Sequence, residues 1–218
     1  MAAMTVPFVR TLAELHAGYR SFPARTRAHV LGRFLTCPFL AVVGEIPAGA
    51  RVLEIGAGHG IFSFLAAANG ARRVVAVDPD LRKSLPSFRH PAVGFVAGFD
   101  DAVAGRFDVV AMIDVLYKVP LHEWDALFAR VAERLVPGGT FLLKEMDPEH
   151  RLKGWWNRAQ EGAAAALALT LGRSFAYETP AMMRRRLERA GFVGLRARPL
   201  GRWYPHAHVL YSAHRPQA

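Results

Sequence analysis

Glu54, Gly56, Gly58 and Gly60, with Asp78 placed 22 residues after Gly56, are the residues whose types and spacing can do chemistry in this chain. Glycines at alternate positions remove the Cβ atoms that would keep a bound nucleoside away from the backbone. Asp78 ends the apolar run Val74-Val75-Ala76-Val77, where its carboxylate can accept both ribose hydroxyls of an adenosine. Glu54, two residues before the first glycine, suits a cationic ligand better than a diphosphate. A dinucleotide fingerprint needs a third glycine where Ile61 stands, and no Lys-Ser or Lys-Thr pair closes a P-loop.

The elements that must position these residues follow from the flanking pattern. Val52-Leu53-Glu54-Ile55 is a short apolar run of the kind a parallel strand shows when both its faces are covered. Ile61 to Asn69 predicts a helix closed by Gly70, so residues 52–78 form a strand-helix-strand unit. Phe95, Phe107 and Phe141 mark the third, fourth and fifth strands. Pro120 opens a helix, Leu121 to Leu135, in which Trp124, Leu127, Phe128, Val131 and Leu135 recur at helical spacing, and Pro137-Gly138-Gly139 predicts a tight turn into strand five. Residues 8–46 read as two helices, one around Thr11 to Tyr19 and one from about Arg25, with Pro38 restarting or kinking it.

Four segments in order, E-I-G-A-G-H-G, V-V-A-V-D-P-D, F-D-V-V-A-M-I-D-V-L-Y and L-V-P-G-G-T-F-L-L-K-E, resemble the motifs of class I S-adenosylmethionine-dependent methyltransferases over residues 50–147. The resemblance implies an α/β Rossmann-like fold: a seven-stranded, mostly parallel sheet with an antiparallel last strand and helices on both faces. It implies S-adenosylmethionine as cofactor, its methionine portion held by Glu54, Gly56, Ala57, Gly58 and Gly60 and its ribose by Asp78 with Pro79 alongside. After the third strand, Phe99 would stack on the adenine and Asp100 bond its amino group, with Asp101 the alternative. Asp114, after the fourth strand, would line the methionine end.

In an open α/β sheet the ligand site lies beyond the carboxyl ends of the strands, and the stretch 147–176 departs from such an end as a helical insert or lid. Lys153, Asn157 and Gln160 or Glu161 form one polar stripe there, flanked by Trp155 and Trp156 and followed by the run Ala163 to Leu171. A solvated face is the ordinary meaning of such a stripe; the other is a lid whose stripe, with Asp147 and Glu145, faces the reacting centre while the aromatic and aliphatic residues grip a hydrophobic substrate. Tyr117, Trp156, Asn157, Tyr204 and His206 are the expected substrate contacts, the last two from the turn Trp203-Tyr204-Pro205-His206 that precedes a strand at His208 to Ala213. Displacement at a sulfonium methyl needs a base only when the nucleophile arrives protonated; Asp114, Tyr117, His122, Asp147 and His206 are the candidates.

A chain of 218 residues with 52% hydrophobic content makes one compact domain. Within it 8–46 is a helical cap, 50–147 the cofactor core and 192–214 a C-terminal strand pair. The single cysteine, Cys37, excludes an internal disulfide, no His or Cys spacing suggests a metal, and neither a secretory leader nor a spanning segment is visible, so a cytoplasmic enzyme is expected. A net charge of +10 invites nucleic acid, yet the 28 basic residues include only four lysines and the arginines are scattered. The dense group Arg184-Arg185-Arg186 with Arg189, on a helix from Thr179 (N-cap) and Pro180 to Gly191, is a solvated face or a contact for an anionic partner: membrane headgroups, an acyl-carrier protein or RNA. With no Asn/Asp-Pro-Pro-Tyr/Phe tetrapeptide, the expected acceptor is a small, partly hydrophobic metabolite, lipid, isoprenoid or polyketide-like. RNA or protein methylation, or a non-catalytic cofactor-binding scaffold, are the alternatives.

Overall fold

The computed structural model describes residues 8–83, 90–99, 103–146, 178–201, 204 and 207–217. Its sheet runs β3-β2-β1-β4-β5-β7-β6, with β1 at Arg51–Ile55, β2 at Arg73–Asp78, β3 at Val93–Ala97, β4 at Phe107–Ile113, β5 at Leu135–Met146, β6 at Val193–Leu200 and β7 at His208–His214. Strands β1 to β5 pair in parallel, and β7 is antiparallel to both β5 and β6. The order reverses between β1 and β4, and a crevice at their carboxyl ends is where such sheets take ligands.

Successive residues of a strand point to opposite faces, so each central strand feeds two cores. Val52, Val74, Val109 and Leu142 pack under four helices: α1 (Phe8–Gly18), α2 (Ala24–Thr36), α3 (Phe39–Val43) and α4 (Ile61–Ala68). Leu53, Val110, Phe141 and Leu143 pack under α5 (Trp124–Arg134) and α6 (Pro180–Arg189). Each fully buried Val, Leu or Phe stabilises the fold by roughly 1.5–3 kcal/mol. The same parity sends Lys144 to the α1–α4 side with Leu142, and Glu145 to the α5–α6 side with Leu143.

Helix α6 has the ends expected of it, Thr179 capping Met182 N at 3.3 Å with Pro180 in the first turn. Two expectations are corrected. The segment expected as one helix from Leu121 begins with a 3-10 turn, Leu121–Glu123, because Trp124 Nε1 donates to Val119 O at 2.9 Å and pins the entry. Pro137-Gly138-Gly139 lies inside β5 as an irregularity rather than forming a turn before it. Pairing with β4 shifts between Phe107 and Val109, and Arg215 bonds Gly138 and Gly139 from the far side.

Candidate active site

The turn after β1 is held by backbone: Gly56 N and Ala57 N both donate to Val77 O, at 2.7 and 2.9 Å. Gly56 (φ +80°) leaves no room for a side chain, since a Cβ there would collide with Val115 from the end of β4. Gly58 (φ +54°) faces the other way, with nothing within 4 Å of where its Cβ would stand. One glycine therefore serves packing and the other leaves an open approach. Asp78 lies beneath that approach, 5% exposed, accepting from Gly58 N (2.8 Å) and Asp80 N (2.9 Å). Each carboxylate oxygen accepts from a backbone amide, which fixes the group at the ligand end of β2. Pro79 beside it is exposed.

Glu54 faces α4 and is 3% exposed, with Ser63 Oγ donating to its Oε2 at 2.5 Å. Burial, with the neighbouring Asp78 charge adding to it, pushes its carboxyl up to about 8 against the Ser63 bonds. One of its oxygens is therefore taken by α4, and at neutral pH the group is mostly uncharged. Tyr19, directly after α1, donates to His59 O at 2.5 Å and ties the end of the first helix to the glycine turn. The His59 ring packs 5.0 Å from that of His29 on α2.

Asp114, just past β4, has φ +54°, the one non-glycine residue with positive φ among the described residues. Lys144 Nζ lies 2.5 Å from its Oδ1 and Arg33 Nη2 from α2 lies 2.7 Å from its Oδ2. The two cations overcome burial and hold this carboxyl well below the usual carboxylate range. Asp114 is therefore a poor proton acceptor, and among the base candidates it is corrected to an anchor of charge. Cys37 Sγ lies 3.6 Å from the same carboxylate, its thiol pushed up to about 12 by burial, which makes it an inert neighbour.

The other expected residues spread around this point. Tyr117, half-buried, follows Asp114 in the loop after β4 and lies under Lys118 Nζ. Tyr204 packs edge-on to His208 at 6.0 Å between ring centroids, and its hydroxyl is shifted upward by burial and by the nearby Cys37. His122 is exposed beside Glu123. Phe99 carries the Arg130 guanidinium 4.5 Å above its ring, so an adenine would share or displace that partner. Asp100, Asp101, Asp147, Trp156, Asn157 and His206 lie outside the described residues, as does the insert 147–176. Among the described residues no cluster of His, Cys, Asp or Glu is placed to hold a metal. The three arginines of α6 diverge. Arg186 is committed to Glu178 (2.5 Å) and Asp125 (2.6 Å), 5.5 Å above the Trp124 ring, while Arg184 lies near Glu188 and Arg185 is exposed.

Arg33 and Lys144, which pair with Asp114, were missed from sequence, whereas Glu145, expected with Asp147 to face the reacting centre, has its Oε1 turned to Val115 N and Leu116 N. Lys144 left a signal, a lone lysine inside the apolar stretch F-L-L-K-E, which must find a carboxylate if that strand is central. Arg33 left none, since it meets Asp114 across 81 residues.

The fold is that of class I methyltransferases. The family model for a methyltransferase domain matches residues 25–197, and the chain belongs to that family of S-adenosylmethionine-dependent enzymes. It is 30% identical over 119 residues to tuberculostearic acid methyltransferase UfaA1 of Mycobacterium tuberculosis, covering 50% of this chain and 27% of that protein. It is 36% identical over 103 residues to ribosomal protein L11 methyltransferase of Bordetella parapertussis, covering 45% and 32%. The chain thus spans about a third or less of the length of these curated relatives. The structure of 1,6-didemethyltoxoflavin-N1-methyltransferase from Burkholderia thailandensis, which holds S-adenosylhomocysteine, superimposes with a TM-score of 0.63 at 18% identity, over 100% of this chain and 94% of that one. Among the described residues no helix is long and apolar enough to cross a membrane.

Proposed function

We propose that this chain methylates a small, partly hydrophobic acceptor, such as a lipid, isoprenoid or polyketide-like metabolite, at oxygen, carbon or nitrogen. The observation that carries this reading is the roof over the strand ends. α2 is bonded through Arg33 to Asp114 at the end of β4, and Tyr19, directly after α1, is bonded to the glycine turn. Helices tied down at those two points favour a confined acceptor over a polymer. UfaA1 and the toxoflavin enzyme, both named for small molecules, add support.

S-adenosylmethionine, when bound, supplies a methyl group on positively charged sulfur for direct in-line displacement. Gly58 gives backbone approach without a side chain, and Asp78, held beneath it, takes the ribose hydroxyls. Phe99, with Asp100 or Asp101, takes the adenine edge. Asp114 stays ionised between Arg33 and Lys144, so it holds the methionine end as a fixed charge. Holding reactants in line can contribute up to about 7–11 kcal/mol. A protonated nucleophile gives its proton to Tyr117, Asp147 or His206, and Tyr117 and Tyr204, with Trp156 and Asn157, border the acceptor.

The second reading, protein methylation, is favoured by the likeness to the ribosomal protein L11 enzyme. Methyl-labelled S-adenosylmethionine incubated with the protein and separated small-molecule, protein and RNA fractions of an extract decides between them. Label in the low-mass fraction is expected. Label in protein or RNA instead supports the alternatives, and S-adenosylhomocysteine binding with no labelled product supports a scaffold.

A further inference from the structure

We propose that Glu145 is a positioning residue for the cofactor, a carboxylate that holds the loop after β4 against the glycine turn after β1. The inference rests on the methyltransferase reading and adds a residue to it. Glu145 stands near the end of β5, 6% exposed, and its Oε1 accepts from both Val115 N (3.1 Å) and Leu116 N (2.8 Å). Those N–H groups directly follow Asp114, whose positive φ is a conformation that persists only where its surroundings enforce it. Asp114 N donates to Lys144 O at 2.9 Å, so β5 grips three consecutive amides of the loop, two of them through the Glu145 side chain. The grip passes to the cofactor turn through Val115, whose side chain fills the space a Cβ on Gly56 would occupy. Moving Val115 moves the wall against which Gly56 is packed.

The second oxygen shows that Glu145 is more than a loop staple. Oε2 has no hydrogen-bond partner among the described residues and borders a cavity of about 10 Å³ lined by Leu116, Tyr117, Trp124, Glu178, Met183 and Tyr211. A space near 10–15 Å³ admits about one water. A carboxylate needed only to accept two amides is equally served by a neutral amide oxygen, yet here the group is ionisable and its second oxygen is buried without a partner among the described residues. The charged and titratable groups around it are Asp114 and Lys144 behind β4 and β5, Glu178 with Arg186 beside α6, Tyr117 in the gripped loop and Tyr211 on β7. Burial first, then the Asp114 charge, pushes the Glu145 carboxyl up to about 8, against its amide bonds and Lys144. Ionisation above that pH strengthens the hold on the two amides.

Calorimetric titration with S-adenosylhomocysteine at pH 7 and pH 9, on wild type, Glu145→Gln and Glu145→Ala, tests the role. Wild type is expected to bind several-fold tighter at pH 9 than at pH 7. Glu145→Gln is expected to bind like wild type at pH 7 and to lack that gain, and Glu145→Ala to bind about tenfold more weakly at both. Glu145→Gln, nearly isosteric, carries the test alone if Glu145→Ala does not fold. Wild-type affinity and pH response in Glu145→Gln overturn the inference while leaving the methyltransferase reading intact. Absence of binding by wild type overturns that reading, and the inference with it.

Discussion

The ends of β1 and β4, neighbours in the sheet, each carry a buried acid, and the two acids respond to burial in opposite directions. Glu54 has a hydroxyl for its partner and Asp78 for its neighbouring charge, and it holds its proton up to about pH 8. Asp114 has two cations and is ionised throughout the ordinary range. Burial alone disfavours charge in both. The partners decide the sign, so the end of β4 carries a fixed anion while the end of β1 carries one that can appear when a positive ligand arrives.

The comparison breaks most severely at Lys144. Replacing it by Met leaves Asp114 buried with Arg33 alone, and removal of one partner from a buried pair costs about 3–5 kcal/mol. Urea unfolding at pH 7 should show that loss. Because the folded Asp114 carboxyl titrates below its unfolded value, its contribution is complete above pH 4 and falls away as the solution is acidified. The gap between wild type and Lys144→Met should therefore narrow toward pH 2.

The glycine turn separates packing from access. Gly56→Ala must displace Val115 as well as accept a positive φ, and a loss of about 2–4 kcal/mol is expected, read as a lower Tm. Gly58→Ala meets no atom, so only about 1–2 kcal/mol of backbone strain is expected, but its Cβ enters the approach to Asp78. S-adenosylhomocysteine affinity should fall more than stability does. Equal effects of the two substitutions on binding and on Tm would show that the two faces of the turn are not distinct.

A smaller effect is expected at α6. Arg186→Ala should cost about 1–2 kcal/mol, since it strands the buried Glu178, whereas Arg185→Ala, at an exposed position, should change stability by less than about 0.5 kcal/mol. Matching losses would mean that Arg186 is as solvated as its neighbour.

The β1-α4-β2 unit was legible because its signals are local: an apolar run, a glycine turn and an acid closing the next run. The cap of α6 was legible for the same reason. The charge relations of the site were not, because they join residues distant in sequence. Asp114 was recognised by position, but its role as a fixed anion depends on Arg33 and Lys144, 81 and 30 residues away. Glu145 was expected to face the reacting centre with Asp147, but its contact with Val115 and Leu116 was not legible because it exists only once β4 and β5 are paired. Pro137-Gly138-Gly139 misled because turn residues also suit an irregular strand pair.

The most direct measurement is proton release on cofactor binding, by calorimetry near pH 7.5 in buffers of different ionisation enthalpy. S-adenosylmethionine carries a positive sulfur and S-adenosylhomocysteine does not. Wild type should release more protons on binding the first than the second, and Glu54→Gln should abolish the difference. Equal proton release for both ligands in wild type, or no binding of either, would contradict the account.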